Sequence, residues 1–291
     1  MRIPTSIRQG TQHGRSLAVA AAALLGATRP VGAQTAVARE GVVLRLHPHV
    51  GDTLHTRLEQ LTEITVTRPG TTGRPVATSV TVLARTIVQA SRQASTTVLT
   101  IVDSADVHTS DSHRGTMAAQ AERSLRGQQL ILQLAEDGTV EIARDARGMA
   151  VSREVTDAMA SMPAVFPRRS VAVGERWQRE MPLVSSNPLG GTGAGARVRA
   201  EFRLDSLSRH GDVAYVSMRG DIVPNDDRPG PDLSGHMTGE MQVDRRRGWM
   251  TDSRFTLVVM SLVAQPGAAA AAAPMRFLTR VTQRLRTMDK W

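Results

Sequence analysis

The stretch 197-RVRAEFRL-204 alternates charged residues with apolar ones at every position. A period of two indicates a β-strand, because successive side chains of a strand point to opposite faces of the sheet. The alternation resumes over 213–222, after the polar residues 209–212. Two such runs around a short turn predict a β-hairpin with one face in water and the other against a core.

Similar strand patterns extend from this hairpin in both directions. Later predicted strands are 236–243, 249–263 and 275–288, and earlier ones are 44–49, 52–67, 77–92, 96–107, 129–134 and 139–144. The run 255–263 is almost continuously apolar, which predicts a strand covered on both faces. In 275–288 the large apolar residues and the arginines fall on opposite sides. Short turns between neighbouring strands predict antiparallel pairing.

Two segments, 116–126 and 149–162, have helical periodicity instead, each with an apolar stripe. The predicted fold is mainly β (α+β): a large curved antiparallel sheet or half-barrel, with these two short helices on its concave face, in one domain over 34–291. Methionine adapts to varied apolar shapes, so the two stripes are candidates to line an apolar-ligand site. The candidate lining residues are Met117, Val151, Val155, Met159 and Met162.

Residues 1–33 have the layout of a secretory signal peptide. Arginines without acidic residues occupy 1–15, an uncharged run rich in alanine and leucine follows at 17–27, and small residues precede Gln34. The run is shorter than the about 20 residues that a membrane-spanning helix needs. We therefore predict cleavage after Ala33 and a periplasmic or secreted protein that does not span the membrane.

Composition excludes several classes of function. The 291 residues include no cysteine, which removes thiol catalysis and cysteine-based metal sites. The single lysine, Lys290, leaves none mid-chain for a P-loop or a Schiff base. Removing residues 1–33 takes away four of the 36 basic residues and none of the 27 acidic ones, leaving a mild and scattered basic excess. No nucleic-acid partner is predicted from such a distribution.

No catalytic, cofactor-binding or metal-binding residue is predicted. His47, His49 and His55 lie close in sequence, but surface histidines are the favoured interpretation because metal-ligand spacing is lacking. The glycine-rich run 190–195 and the acidic loop 225–232 lack the spacing of a dinucleotide loop and of an EF-hand. No G-x-S-x-G elbow occurs. A hydrolase with an unrecognised site is therefore only the third candidate function.

Short motifs in the chain resemble those of uncharacterised secreted bacterial β-rich proteins. They are Leu44-Arg-Leu46 with Pro48 and Gly51-Asp52, then Val173-Gly-Glu-Arg-Trp177, then Gly235, Gly239, Asp244 and Gly248. The resemblance implies an exported β-rich domain and no known activity. The predicted order of strands and helices is also similar to the half-barrels of periplasmic lipoprotein carriers, a similarity of fold that does not determine function.

The sequence therefore favours a non-enzymatic exported envelope protein without a cofactor. An apolar ligand, such as a lipid or a lipidated partner, is expected to bind in the concavity of the sheet. The alternative is a structural or protein-interaction module that binds an envelope protein through exposed strand edges. In that alternative the core is solid and the methionines of the two helices only fill it.

Overall fold

Antiparallel strands make up most of the described chain. The computed structural model describes residues 41–68, 70–92, 94–146, 165–183, 196–224, 233–263 and 274–289. Its strands are β1 (Thr53–Arg68), β2 (Thr71–Thr72), β3 (Val76–Arg92), β4 (Ser95–Thr109), β5 (Gln129–Ala135), β6 (Val140–Asp145), β7 (Arg176–Pro182), β8 (Ala196–Leu207), β9 (Val213–Pro224), β10 (Leu233–Asp244), β11 (Trp249–Val263) and β12 (Met275–Met288). This is the mainly β fold that the period of two predicts.

All these strands belong to one open antiparallel sheet. Their order is β6-β5-β4-β3-β1-β12-β11-β10-β9-β8-β7, and the short β2 pairs with β1. Neighbours in sequence are mostly neighbours in the sheet, as tight turns require. β6 and β7 follow each other in the chain but lie at opposite edges of the sheet. In the centre, β1 pairs with β12 in a register that aligns Leu58 with Leu285. The first and last strands of the chain thus join its two halves.

One face of the sheet carries the core, and we call it the inner face. Buried side chains from β7–β10 form one cluster with Leu44, Phe166 and Val171, and buried side chains from β3–β6 form a second. Leu46 contacts both clusters. Each cluster lies toward one side of the sheet, so the inner face of the central strands lies between them.

We call the end of the sheet where β1 begins the base. Residues 41–52 lie along the base, and the prediction of a strand at 44–49 is wrong. Their backbone groups bond to separate elements: Leu46 N–H donates to Glu136 O, and His47 N–H donates to Gly248 O, each at 2.8 Å. A strand needs one continuous partner, whereas Val42, Leu46, His47 and Gly51 each bond to a different part of the chain.

The prediction that 255–263 is covered on both faces is also wrong. Met260 lies on the outer face of β11 and is 37% exposed. The apolar residues of this strand are therefore only partly covered on both of its faces.

A single α-helix, α1 (Gly115–Leu125), occurs within the described ranges and follows a 3₁₀ turn at Ser112–Arg114. It contacts β4, and Ala118, Glu122 and Leu125 are its partly buried residues. The predicted helix at 149–162 lies outside the described residues. No helix within those ranges is long and apolar enough to cross a bilayer.

Candidate apolar binding face

The inner-facing side chains of β3, β1, β12 and β11 form a mainly apolar surface interspersed with threonine, serine and glutamine, which we call the central inner face. On β1 the register places Leu58, Ile64 and Val66 on the same side as the buried Leu54. Their cross-strand neighbours are also mainly apolar. The other apolar members are Val76, Val80, Val82, Phe277, Val281, Leu285, Phe255, Leu257 and Val259. All twelve side chains are only partly buried.

This surface continues the packed core but differs from it in exposure. In the cluster of β7–β10, Phe202, Leu204 and Val243 have no measurable exposure. Phe255, Leu257 and Val259 of β11 pack against the edge of that cluster and remain partly exposed. The core is therefore solid on both sides, and the apolar surface between its two clusters is incompletely covered.

Two amides lie in the middle of this apolar surface. Gln60 on β1 and Gln283 on β12 are directly opposite each other in the register and both face inward. Gln60 Nε2 donates to Thr62 Oγ1 at 3.3 Å, which leaves amide donors and acceptors available in this region. A few polar groups within an apolar surface are the usual means by which a binding site orients an apolar ligand.

Nearer the base, the outer face of the same strands has the opposite character. Arg85 forms a two-pronged ion pair with Asp103, and Arg284 donates to Asp252 at 2.9 Å. The hydrogen bond to the Asp103 carboxylate raises the pKa of Arg85 above its ordinary value. Charged side chains in water need no cover, so the inner face is the apolar side of this part of the sheet.

A short segment closes the base on the inner side. Val165 and Phe166 donate their backbone N–H groups to Asp137 O, in the β5–β6 turn, at 2.9 and 3.1 Å. The same two residues accept hydrogen bonds from β7, since Trp177 Nε1 donates to Val165 O at 2.8 Å and Arg179 donates to Phe166 O. This segment therefore joins elements from the two opposite edges of the sheet.

Asp137 anchors that junction from the side of β5 and β6. Its carboxylate accepts from Thr139 Oγ1 at 2.7 Å and from Arg168 Nε at 3.2 Å. Burial alone would raise the pKa of Asp137, but the hydrogen bonds from Thr139 and then from Arg168 lower it below its ordinary value. The carboxylate is therefore ionised and bonded at neutral pH, which suits a structural role in the base.

No protein-family model matches the chain, and no curated protein matches it. Among solved structures, a chain from a structure of lipid–protein interactions in lipovitellin has 7% identity and a TM-score of 0.49, covering 83% of this chain and 25% of its own length. This chain thus spans about a quarter of that one.

Two further structures match with lower scores. DynF, from the dynemicin biosynthesis pathway of Micromonospora chersina, is 10% identical with a TM-score of 0.23, over 89% of this chain and 92% of its own. The outer membrane protein OprG from Pseudomonas aeruginosa is 6% identical with a TM-score of 0.23, over 83% and 98%. Such similarity is one of fold alone, and it identifies neither a family nor a ligand for this chain.

Of the lining residues predicted from sequence, one falls within the described ranges. Met117 is 69% exposed on α1. It does not lie on the side of the helix that contacts β4, where Ala118 and Leu125 are partly buried. Val151, Val155, Met159 and Met162 lie outside the described residues, so their predicted role stays a prediction.

His47, His49 and His55 all lie within the described residues. Among the described residues no three His, Asp or Glu side chains come together as a metal-binding group. His49 contacts Asp52 at 3.6 Å, and His47 is held through its backbone to Gly248. The acidic loop 225–232 lies outside the described residues.

Sequence reasoning did not identify the central inner face as a site. Its signal was present in 275–288, where Phe277, Val281 and Leu285 share one side of the strand. The alternation does not predict the pairing of β1 with β12, because these strands are more than 200 residues apart in the chain. That pairing places Leu58 beside Leu285 and Gln60 beside Gln283.

Proposed function

We propose that this protein is an exported, non-enzymatic binder of an apolar ligand, which lies on the central inner face. The observation that carries the proposal is the partly exposed apolar surface between two solid core clusters. Covering apolar surface contributes about 25 cal/mol per Å². A ligand with an extended apolar portion therefore gains free energy at this surface, whereas the outer face of the same strands offers ion pairs nearer the base.

The connections at the base support a concave inner face. Eleven strands in one row, spaced about 4.8 Å apart, would separate the edges of a flat sheet by about 48 Å. Val165 and Phe166 nevertheless bond both to the β5–β6 turn and to side chains of β7. A sheet whose edges approach this closely has to curve around its inner face. Concave apolar surfaces with few polar groups suit lipids and similar ligands.

The test is to place a charge on the inner face and the same charge on the outer face. Val281 faces inward on β12, and its neighbour Thr282 faces outward opposite Leu61. We expect Val281→Asp to weaken binding of the neutral apolar dye N-phenyl-1-naphthylamine at least about tenfold, because an unpaired carboxylate disfavours an apolar surface. Thr282→Asp is the matched control, and we expect it to bind the dye like the wild type.

Fluorescence titration measures dye binding, and circular dichroism with a melting curve checks the fold. Val281→Thr, which keeps the shape of the side chain, serves if Val281→Asp does not fold. Equal dye affinity in both aspartate variants, or no dye binding by the wild type, would contradict the proposal. The second result would favour the interaction module, for which β6 and β7 provide the terminal strands of the sheet.

Export is the second part of the proposal, and residues 1–33 carry it. Replacing both Leu24 and Leu25 by arginine puts charge into the apolar run, which opposes entry into the apolar path of the translocation channel. We expect the variant to remain in the cytoplasm as an uncleaved chain, measured by cell fractionation and N-terminal sequencing. Normal export of this variant, or a mature N-terminus far from Gln34, would refute the signal peptide.

A further inference from the structure

The outer face of the sheet carries an exposed apolar patch at the end away from the base. Leu278 on β12 and Met260 on β11 are directly opposite each other in the register and are 41% and 37% exposed. Leu61 on β1, 39% exposed, lies on the same outer face nearer the base. These are three of the eight exposed large apolar side chains of the described residues.

Two arginines flank this apolar pair along β12. Arg276 and Arg280 are the outward-facing residues on either side of Leu278, and both are exposed. Neither forms an ion pair with a carboxylate of the described residues, although Glu63 lies opposite Arg280 on β1. We call Leu61, Met260, Leu278, Arg276 and Arg280 the outer patch.

The same face is different nearer the base. There Arg284 pairs with Asp252, and Glu59 forms ion pairs with Arg57 at 2.6 Å and with Arg286 at 3.5 Å. Each of these three arginines contacts a carboxylate, whereas Arg276 and Arg280 contact none among the described residues. Glu63 on the same face offsets part of the charge of the outer patch, which stays net positive. An isolated surface ion pair contributes little to stability, so the contrast matters for what the surface attracts rather than for folding.

We propose that the outer patch binds the surface of a membrane that contains anionic lipids. Guanidinium groups bind phosphate oxygens through paired N–H donors, and each cation near an anionic bilayer contributes about 1 kcal/mol of attraction. Exposed leucine and methionine side chains enter the boundary between headgroups and acyl chains. The unpaired positive charge selects this occupant over an uncharged protein surface. The protein thus lies on the membrane without spanning it.

The experiment is sedimentation of the full-length mature protein with vesicles. Vesicles of phosphatidylcholine with about 30% phosphatidylglycerol are compared with phosphatidylcholine alone, and we expect binding to the first only, weakening as salt is raised. Arg276→Gln with Arg280→Gln is expected to lower the partition coefficient about 10- to 30-fold. Leu278→Ser with Met260→Ser is expected to lower it as well, without loss of the fold.

The matched control removes two charges at the base. Arg209 and Arg246 are exposed in the β8–β9 and β10–β11 turns, and Arg209→Gln with Arg246→Gln should bind vesicles nearly as the wild type does. Equal loss in both double variants would mean attraction by net charge alone and would overturn the proposal. Self-association of the wild type that Leu278→Ser abolishes, without vesicle binding, would overturn it in favour of a protein partner. Dye binding at the central inner face is measured in parallel, so failure of either proposal is recognised separately.

Discussion

Replacing Trp177 by alanine is expected to lower the free energy of unfolding by about 3–5 kcal/mol. The indole is 7% exposed and stacks on Phe202, with ring centroids 5.6 Å apart and planes 11° apart. Its Nε1–H donates to Val165 O at 2.8 Å, so the same side chain also anchors the segment that closes the base. The truncation removes apolar contacts and leaves a carbonyl in the junction without its donor.

Urea unfolding with a fluorescence-independent signal, such as far-UV circular dichroism, measures this loss. Trp177→Phe keeps one aromatic ring but removes the hydrogen bond and part of the apolar contacts of the indole, and is expected to cost less than Trp177→Ala. Tyr215→Ala is the matched aromatic control, because that ring is 38% exposed on the outer face. If Trp177→Ala were as stable as the control, the indole would not be part of the core.

Gly248→Ala is expected to destabilise the protein by about 2–5 kcal/mol, from backbone strain together with overpacking. Gly248 has φ of +60°, a conformation that an L side chain rarely adopts, and its C=O lies beside His47 in the segment 41–52. An added Cβ would lie 2.4 Å from His47 O. His47 N–H donates to Gly248 O at 2.8 Å, so the methyl group displaces the segment that this bond holds.

Gly51→Ala separates the two causes. Gly51 also has a positive φ, +92°, but a Cβ there would meet nothing within 4 Å. That variant should cost only the backbone term of about 1–2 kcal/mol. Thermal melts of both variants under one set of conditions make the comparison. Equal losses would show that His47 moves aside freely, and that the contact with Gly248 does not hold the base.

Periodicity predicted individual strands well, because alternation is a local property. The hairpin of β8 and β9 and the strand β12 were predicted from side-chain order alone, with ends within a few residues of those observed. The prediction of a strand at 44–49 rests on the same alternation, and it is wrong. The residues of this segment have strand-like alternation, but separate turns take its hydrogen bonds, and local sequence contains no information about those turns.

The candidate site was less predictable than the fold. The predicted lining residues lie on two helices, of which only Met117 is within the described residues, so that prediction stays open. The apolar surface that the structure describes lies on the strands. The sequence of a half-buried apolar strand has the same pattern as that of a fully buried one. The degree of burial depends on the elements that pack against its face, which the sequence of the strand does not specify. The outer patch was hidden for a similar reason, since Leu278 and Met260 adjoin only when β11 pairs with β12.

By itself the sequence determined the strand-rich class, the antiparallel hairpins and which side chains of each strand share a face. These follow from the two-residue repeat of the extended backbone and from turn residues, which act over a few positions. Only the tertiary structure decided that β1 pairs with β12, that residues 41–52 and 165–171 cross the base, and that solid clusters flank a partly exposed surface. Those features depend on contacts between residues far apart in the chain, whose free energy is gained only when the whole sheet assembles.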